Sequence, residues 1–234
     1  DIQVRKMPAR VIGKTLVAPD VMLLQLRLPA AQRLQFLAGQ YIDVLIREHE
    51  PRSFSIANAP HDDEYIELHI RYVEGGLFTD QVFHHMKEKT LLRIRGPLGT
   101  FFLREDSDRP IVLIGGGTGF APLKGILEHA FEIGVERPIH LFWGVRARRD
   151  LYLDDLPQQF ASEHSNFSYT PVLSEPLPED DWNGESGFVS DAVVRAIPDL
   201  SGHDVYMSGP PVMVEAGHAL FMQHGLDESR FFSD

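Results

Sequence analysis

The chain has 234 residues, 43% hydrophobic and 24% charged, an ordinary globular composition with length for one large domain or two modest ones. Its net charge of −12 argues against a general binder of nucleic acid or anionic membrane, because both need basic surface. It has no cysteine, which removes disulfides, thiolate metal sites, iron–sulfur ligation and Cys nucleophiles from this polypeptide. No apolar run approaches the roughly 20 residues that span a bilayer. The opening D-I-Q-V-R-K-M-P is no signal peptide, and a cytoplasmic setting is expected.

From residue 8 to residue 95, short β-branched and aromatic runs recur between turn signals. Residues 21–28, 41–47, 52–57, 65–72 and 91–95 read as strands. In the run at 65–72, Ile66, Leu68, Ile70 and Tyr72 share one face and the charged residues the other. One helix, 77–86, interrupts the strands, and the set predicts a small antiparallel barrel. The polar run Glu105-Asp106-Ser107-Asp108-Arg109-Pro110 then marks a boundary, with a barrel domain at 1–106 and an α/β domain at 107–234. Beyond it, 111–114 is a continuous apolar run, the mark of a strand buried on both faces. Helices are expected at 121–131, 191–197 and 212–224, strands at 139–143, 167–173 and 205–207, and an exposed loop at 174–181. Strands alternating with helices imply a parallel sheet with crossover helices.

Chemistry-bearing segments follow in the same order. In Arg52-Ser53-Phe54-Ser55, strand alternation puts Arg52 and Phe54 on one face and the two serines on the other. An arginine beside hydroxyls suits an anionic ligand, although alone the segment reads as an ordinary edge strand. Gly75-Gly76-Leu77-Phe78-Thr79 opens the barrel's helix, a second place where phosphate could meet helix N–H groups.

The sharpest signal is Gly115-Gly116-Gly117-Thr118-Gly119-Phe120-Ala121-Pro122, between a buried strand and a helix. Glycine lets backbone approach a ligand, free N–H groups attract phosphate, and Pro122 suits a first helical turn. It departs from G-x-G-x-x-G, because Phe120 or Pro122 falls where the third glycine should be, and the acidic residue about 20 positions on is absent. The next strand instead runs into Arg146, Arg148 and Arg149, which could meet a 2′-phosphate or form a solvated loop. Ser208-Gly209-Pro210-Pro211-Val212-Met213 again joins a strand to a helix. The turns at Gly115, Gly144 and Gly209 should therefore line the carboxyl edge of one sheet, where ligands bind. No two of the eleven histidines have the spacing of a helical zinc pair, H-E-x-x-H is missing, and no metal site is expected. No G-x-S-x-G elbow anchors a hydrolase triad.

Together these motifs resemble the ferredoxin–NADP reductase superfamily over essentially the whole chain. The resemblance implies that Arg52 holds the FAD phosphate, Phe54 lines the flavin pocket and Ser55 lies near flavin N5. It matches His69, Ile70 and Arg71 to the strand beside the isoalloxazine and ribityl chain, and Gly75, Gly76 and Thr79 to the pyrophosphate turn. It assigns NADH or NADPH to Gly116, Gly117, Thr118, Gly119 and Pro122, with Thr118 near the nicotinamide, Arg146 on the adenosine side, and Gly209, Pro210 and Met213 in the C-G-P-P-x-M turn. Ser208 replaces the usual cysteine there, and a hydroxyl can still hydrogen-bond.

Within the superfamily, R-S-F-S-I-A-N-A-P, G-P-L-G-T-F-F-L-R-E and S-G-P-P-x-M-V-E-A are most similar to CDP-deoxyglucoseen reductases and the reductases of oxygenase systems. Those carry a plant-type ferredoxin domain before the barrel, so an iron–sulfur cluster would enter only through such a missing N-terminal domain. The opening without Met agrees with a chain from which one has been removed. The implied activity is hydride transfer from NAD(P)H to FAD, with electrons passing on to a ferredoxin-like domain, an oxygenase or a dehydrase component. Two alternatives stay open: a reductase that releases free reduced flavin, and a nucleotide-binding module without turnover.

Overall fold

The computed structural model describes residues 2–234, which fall into two compact units. One takes the chain up to Leu103 together with Lys124–Ile133. The other takes Arg104–Leu123 and Gly134–Asp234.

The first unit is built on strands β1 (Arg5–Ala18), β2 (Val21–Arg27), β3 (Tyr41–Leu45), β4 (Arg52–Ser55), β5 (Tyr65–Arg71) and β6 (Leu91–Leu98). They lie in the order β4-β3-β6-β1-β2-β5, each neighbour antiparallel. Beyond β4 the sheet curls back on itself, because the Ala57 N–H donates to the Glu67 carbonyl of β5 at 2.9 Å. This is the antiparallel barrel expected from the sequence. Its core comes from strand alternation: Met7, Ala9 and Val11 of β1, Leu24 and Leu26 of β2, Ile42 and Val44 of β3, and Ile66, Leu68 and Ile70 of β5 all point inward.

The 14-residue β1 was not predicted. Pro8 sits inside it, and a residue without an amide donor hides a strand from a pattern reading. Helix α1 (Leu77–Asp80) continues as a wider turn, Gln81–His85, closed by Met86 N–H on the Gln81 carbonyl at 2.6 Å. His84 and His85 both reach Asp80, at 3.9 and 3.5 Å.

The second unit holds β7 (Ile111–Gly116), α2 (Phe120–Glu132), β8 (Ile139–Val145), α3 (Asp155–Glu163), β9 (Phe167–Leu173), β10 (Glu185–Ser186), α4 (Val189–Ala196), β11 (Asp204–Ser208), α5 (Pro211–Gln223) and β12 (Phe231–Ser233). From Lys124 onward, α2 groups with the first unit. The strands form one sheet in the order β10-β9-β8-β7-β11-β12, parallel throughout, as the strand–helix alternation predicts. Val112, Ile114, Phe142, Val193, Val205, Met207 and Phe221 form one continuous part of its core.

The carboxylate of Asp204, at the start of β11, is fully buried between Arg137 (3.1 Å) and Arg230 (2.6 Å). Removing Asp204 would leave the largely buried Arg137 guanidinium without its carboxylate. Helix α3 was not predicted; Pro157 stands in its first turn, where proline is tolerated. No helix among the described residues is long and apolar enough to cross a membrane.

Candidate functional site

In the first unit, β4 lies at one end of the strand order and pairs only with β3, with Arg52 opposite Val44 and Ser55 opposite Tyr41. The alternation expected from the sequence holds. Ser53 turns outward and its hydroxyl donates to Asp43 at 2.6 Å, a carboxylate that also takes Arg95 at 2.6 Å. Phe54, on the other face, lies 5.6 Å from the Phe78 ring of α1. Arg52 is exposed, and its guanidinium reaches only the Glu50 and Pro51 carbonyls, at 3.4 Å each. Such long contacts leave most of its donors for an anion. Ser55 is half-buried at the strand's end.

The turn before α1 is wound around Thr79. The Thr79 hydroxyl accepts from the Val73 N–H at 3.2 Å and lies 3.1 Å from the Val73 carbonyl. Gly75 has φ +76°, and a Cβ on Gly76 would stand 2.9 Å from the Thr79 hydroxyl. The turn's shape thus depends on glycine, while the Thr79 side chain serves the turn itself. With only four regular residues, α1 has little macrodipole, so phosphate binding here would fall to backbone N–H groups.

On β5, Ile70 is in the core, Arg71 is exposed with Asp20 at 3.4 Å, and the His69 ring is buried. Sequence alternation places Glu67 and His69 on the face opposite Ile66, Leu68 and Ile70, and this face too is buried, beneath the part of α2 from Lys124 onward. His69 Nε2 donates to Glu67 Oε2 at 2.8 Å, and the same oxygen takes Lys124 Nζ at 3.0 Å. Lys124 also reaches Glu128 Oε1 at 2.6 Å and the Ala57 carbonyl at 3.2 Å. Burial alone would raise the Glu67 carboxyl, yet the His69 hydrogen bond and the Lys124 charge pull it down to about 2. Burial pushes the His69 ring below its usual range, which keeps it neutral. Burial works against a charged Lys124, but the two carboxylates outweigh it and hold the ammonium above its usual range. None of these four residues stood out in the sequence as a cluster. The charged lysine four residues before Glu128 on a helix was the one available sign.

In the second unit the three glycine turns share one sheet edge. Gly116 pairs with Gly144, and Gly115 pairs with Ser208, so the ends of β8, β7 and β11 lie side by side. Packing requires glycine at position 119, where a Cβ would overlap the Ser208 carbonyl oxygen, while one on Gly116 would displace the flexible end of Met213. Gly117 has φ +56° with open space beside it, a conformation that glycine adopts without penalty. Thr118 and Pro210, on either side of this contact, are half-buried and exposed, while Pro122 is buried in the first turns of α2.

Beneath the turn, Trp143 Nε1 donates to the Gly117 carbonyl at 2.9 Å. Its indole stacks on Phe120 at 4.1 Å, and the Tyr152 ring stands edge-on to it at 5.1 Å. Trp143 was not singled out from the sequence. Arg146 and Arg149 are exposed past β8. Arg148 is engaged: its guanidinium lies 5.2 Å over the Trp182 ring, and its N–H donates to Asp180 at 3.2 Å. The basic run is therefore divided, with two arginines open to a ligand and one built into the neighbouring loop. No group of three or more His, Asp or Glu side chains among the described residues could hold a metal ion.

These features fit both groups named by the resemblance: an arginine-bearing edge strand for an anionic flavin dinucleotide, and a glycine cradle for a second dinucleotide. Comparison with known proteins agrees. Residues 8–103 match the oxidoreductase FAD-binding domain and 113–218 the oxidoreductase NAD-binding domain. The chain is 44% identical, over its whole length and 69% of the relative's, to the CDP-6-deoxy-L-threo-D-glycero-4-hexulose-3-dehydrase reductase of Yersinia pseudotuberculosis serotype I. It is 35% identical to reductase component 1 of terephthalate 1,2-dioxygenase from Comamonas, over 98% of the chain and 68% of that protein. Among solved structures, the Amycolatopsis cytochrome P450 reductase GcoB superposes with a TM-score of 0.93 at 36% identity, covering 100% of this chain and 70% of that one. The chain belongs to the ferredoxin reductase-type oxidoreductases, which bind FAD through the barrel and NAD through the parallel sheet.

Proposed function

We propose that this chain is the flavin- and nicotinamide-binding part of an electron-transfer reductase whose acceptor is an iron–sulfur centre or a protein acceptor such as an oxygenase or dehydrase component. In the first unit, Arg52 would pair with the FAD phosphate, Phe54 would line the flavin pocket, Ser55 would stand near N5, and the backbone of His69, Ile70 and Arg71 would run beside the ring and ribityl chain. Gly75 and Gly76 would receive the pyrophosphate through their turn, whose shape Thr79 holds. In the second unit, Gly116, Gly117, Gly119 and Pro122 would cradle the reduced nicotinamide nucleotide, with Thr118 and Ser208 at the nicotinamide and Arg146 at the adenosine end. Gly209, Pro210 and Met213 would form the far wall of that cradle.

Bound FAD supplies the redox chemistry, taking hydride as an electron pair and releasing electrons singly. The protein's part is alignment and charge. No side chain has to take or give a proton during hydride transfer. We place the activity in the cytoplasm, where reduced nicotinamide nucleotides are held.

The observation that carries this reading is the shared edge formed by the Gly116–Gly144 and Gly115–Ser208 pairs. To test it, the protein is loaded with FAD, passed through gel filtration, and assayed with NADH or NADPH and ferricyanide. Retained flavin and turnover are expected. Turnover with loss of flavin on the column would favour release of free reduced flavin, and nucleotide binding without turnover would leave only a binding module.

A further inference from the structure

After Ser55 the chain leaves the β3 ladder, and its path is set by other contacts. Ile56 N–H donates to the Gln40 carbonyl at 3.0 Å and Ala57 N–H to the Glu67 carbonyl at 2.9 Å. Asn58 Oδ1 accepts from the Glu67 N–H at 2.8 Å. The Asn58 amide also donates to the Asp62 and Tyr65 carbonyls, and a further restraint is charged: Lys124 donates to the Ala57 carbonyl from within its two carboxylates. Beside it, α2 lies so close that a Cβ on Gly125 would stand 3.1 Å from the carbonyl oxygens of both Ile56 and Asn58.

We propose that Lys124, held by Glu67 and Glu128, is a positioning residue that fixes the Ser55–Asn58 segment and thereby the placement of the Ser55 hydroxyl during flavin reduction. A buried ion cluster is a poor way to gain stability, since well-packed apolar groups of the same volume do as well or better. Its distinctive effect is to specify one arrangement, because Lys124 must satisfy two carboxylates and one carbonyl at once. The Glu67 backbone bonds the segment twice, accepting from the Ala57 N–H and donating to Asn58 Oδ1, while the Glu67 carboxylate holds Lys124, so one residue ties the charge to the strand end. His69, neutral, donates to Glu67 and keeps that carboxylate aimed at the lysine.

This proposal rests on the assignment of Ser55 to the flavin ring, and its test separates the two. Flavin reduction by NAD(P)H is followed by stopped flow in the FAD-loaded chain, in Ser55→Ala, in Lys124→Met and in the double variant, with FAD affinity and KM measured alongside. Misplacing a group by about an ångström slows a step by up to roughly 100-fold. Lys124→Met is therefore expected to slow reduction by about 10- to 100-fold, with FAD affinity and KM little changed. The double variant is expected to be no slower than Ser55→Ala alone. Should Lys124→Met fail to fold, the isosteric Glu67→Gln is expected to behave in the same way. Multiplying effects in the double variant, or an unchanged rate in the folded single variant, would overturn the positioning role while leaving Ser55 in place. An unchanged rate in Ser55→Ala would overturn both.

Discussion

Trp143 donates its indole N–H to the carbonyl of Gly117 at 2.9 Å, so the glycine turn is held open from beneath by a fully buried aromatic ring. Trp143→Phe keeps an aromatic ring to stack on Phe120 and removes this hydrogen bond together with part of the buried indole's volume. A net hydrogen bond of about 0.5–1.5 kcal/mol corresponds to roughly 2- to 12-fold weaker binding of the nicotinamide nucleotide, with FAD retention unchanged. Isothermal titration of both ligands checks this, and equal nucleotide affinity would show that the turn does not depend on the indole.

Arg52 offers most of its donors to a ligand, since its protein contacts are two long ones to carbonyls. Arg52→Ala is expected to lose the worth of a charged hydrogen bond, about 1.5–3 kcal/mol or roughly 10- to 150-fold in FAD affinity. Equilibrium dialysis of the variant against FAD measures it. An affinity equal to the parent's would remove the phosphate role.

Gly119 meets a backbone oxygen, that of Ser208, which no rotamer change can move aside. Gly119→Ala must therefore shift β11 or the turn, a strain of about 1–3 kcal/mol. Both a lower urea midpoint and loss of nucleotide binding are expected. A variant with the parent's midpoint and affinity would mean that the turn and β11 separate readily.

The buried cluster in the first unit makes stability depend on pH in a definite sense. The folded His69 binds a proton less readily than its ordinary value of 6.5, first because of burial. Its contribution is therefore complete above that value and declines as pH falls below it. Glu67, held at about 2 against an ordinary 4.5, adds a second loss at lower pH. Glu128, raised by burial, acts in the opposite sense and partly offsets it. Urea midpoints measured from about pH 8 to about pH 5 should fall for the parent chain and fall less for His69→Gln. Equal slopes for the two would show that His69 is not the titrating group.

Much of this molecule is legible in its residues. The continuous apolar run at 111–114 and the glycines after it read as a buried strand turning into a helix, and the structure has that geometry. Alternation in Tyr65–Arg71 correctly put Ile66, Leu68 and Ile70 in the core. The same alternation put Glu67 and His69 on the opposite face but left their burial unseen, because a strand pattern reports two faces and not what covers the second one. The cover is a stretch of α2 more than fifty residues away in sequence, and only the tertiary structure brings Lys124 to Glu67. Trp143 was hidden for a similar reason, since a tryptophan in an apolar strand looks like packing until its N–H is seen to reach Gly117. β1 and α3 were missed because Pro8 and Pro157 imitate breaks that the local geometry tolerates.

The central claim is that a bound flavin in this chain is reduced directly by a nicotinamide nucleotide held at the glycine cradle. An anaerobic titration of the FAD-loaded chain with NADH and with NADPH tests it in one cuvette. The account predicts that one equivalent of at least one of them bleaches the flavin's visible band, and that Gly119→Ala abolishes the bleaching while leaving the flavin bound. A band that stays oxidised in the parent chain with either nucleotide in excess would contradict it.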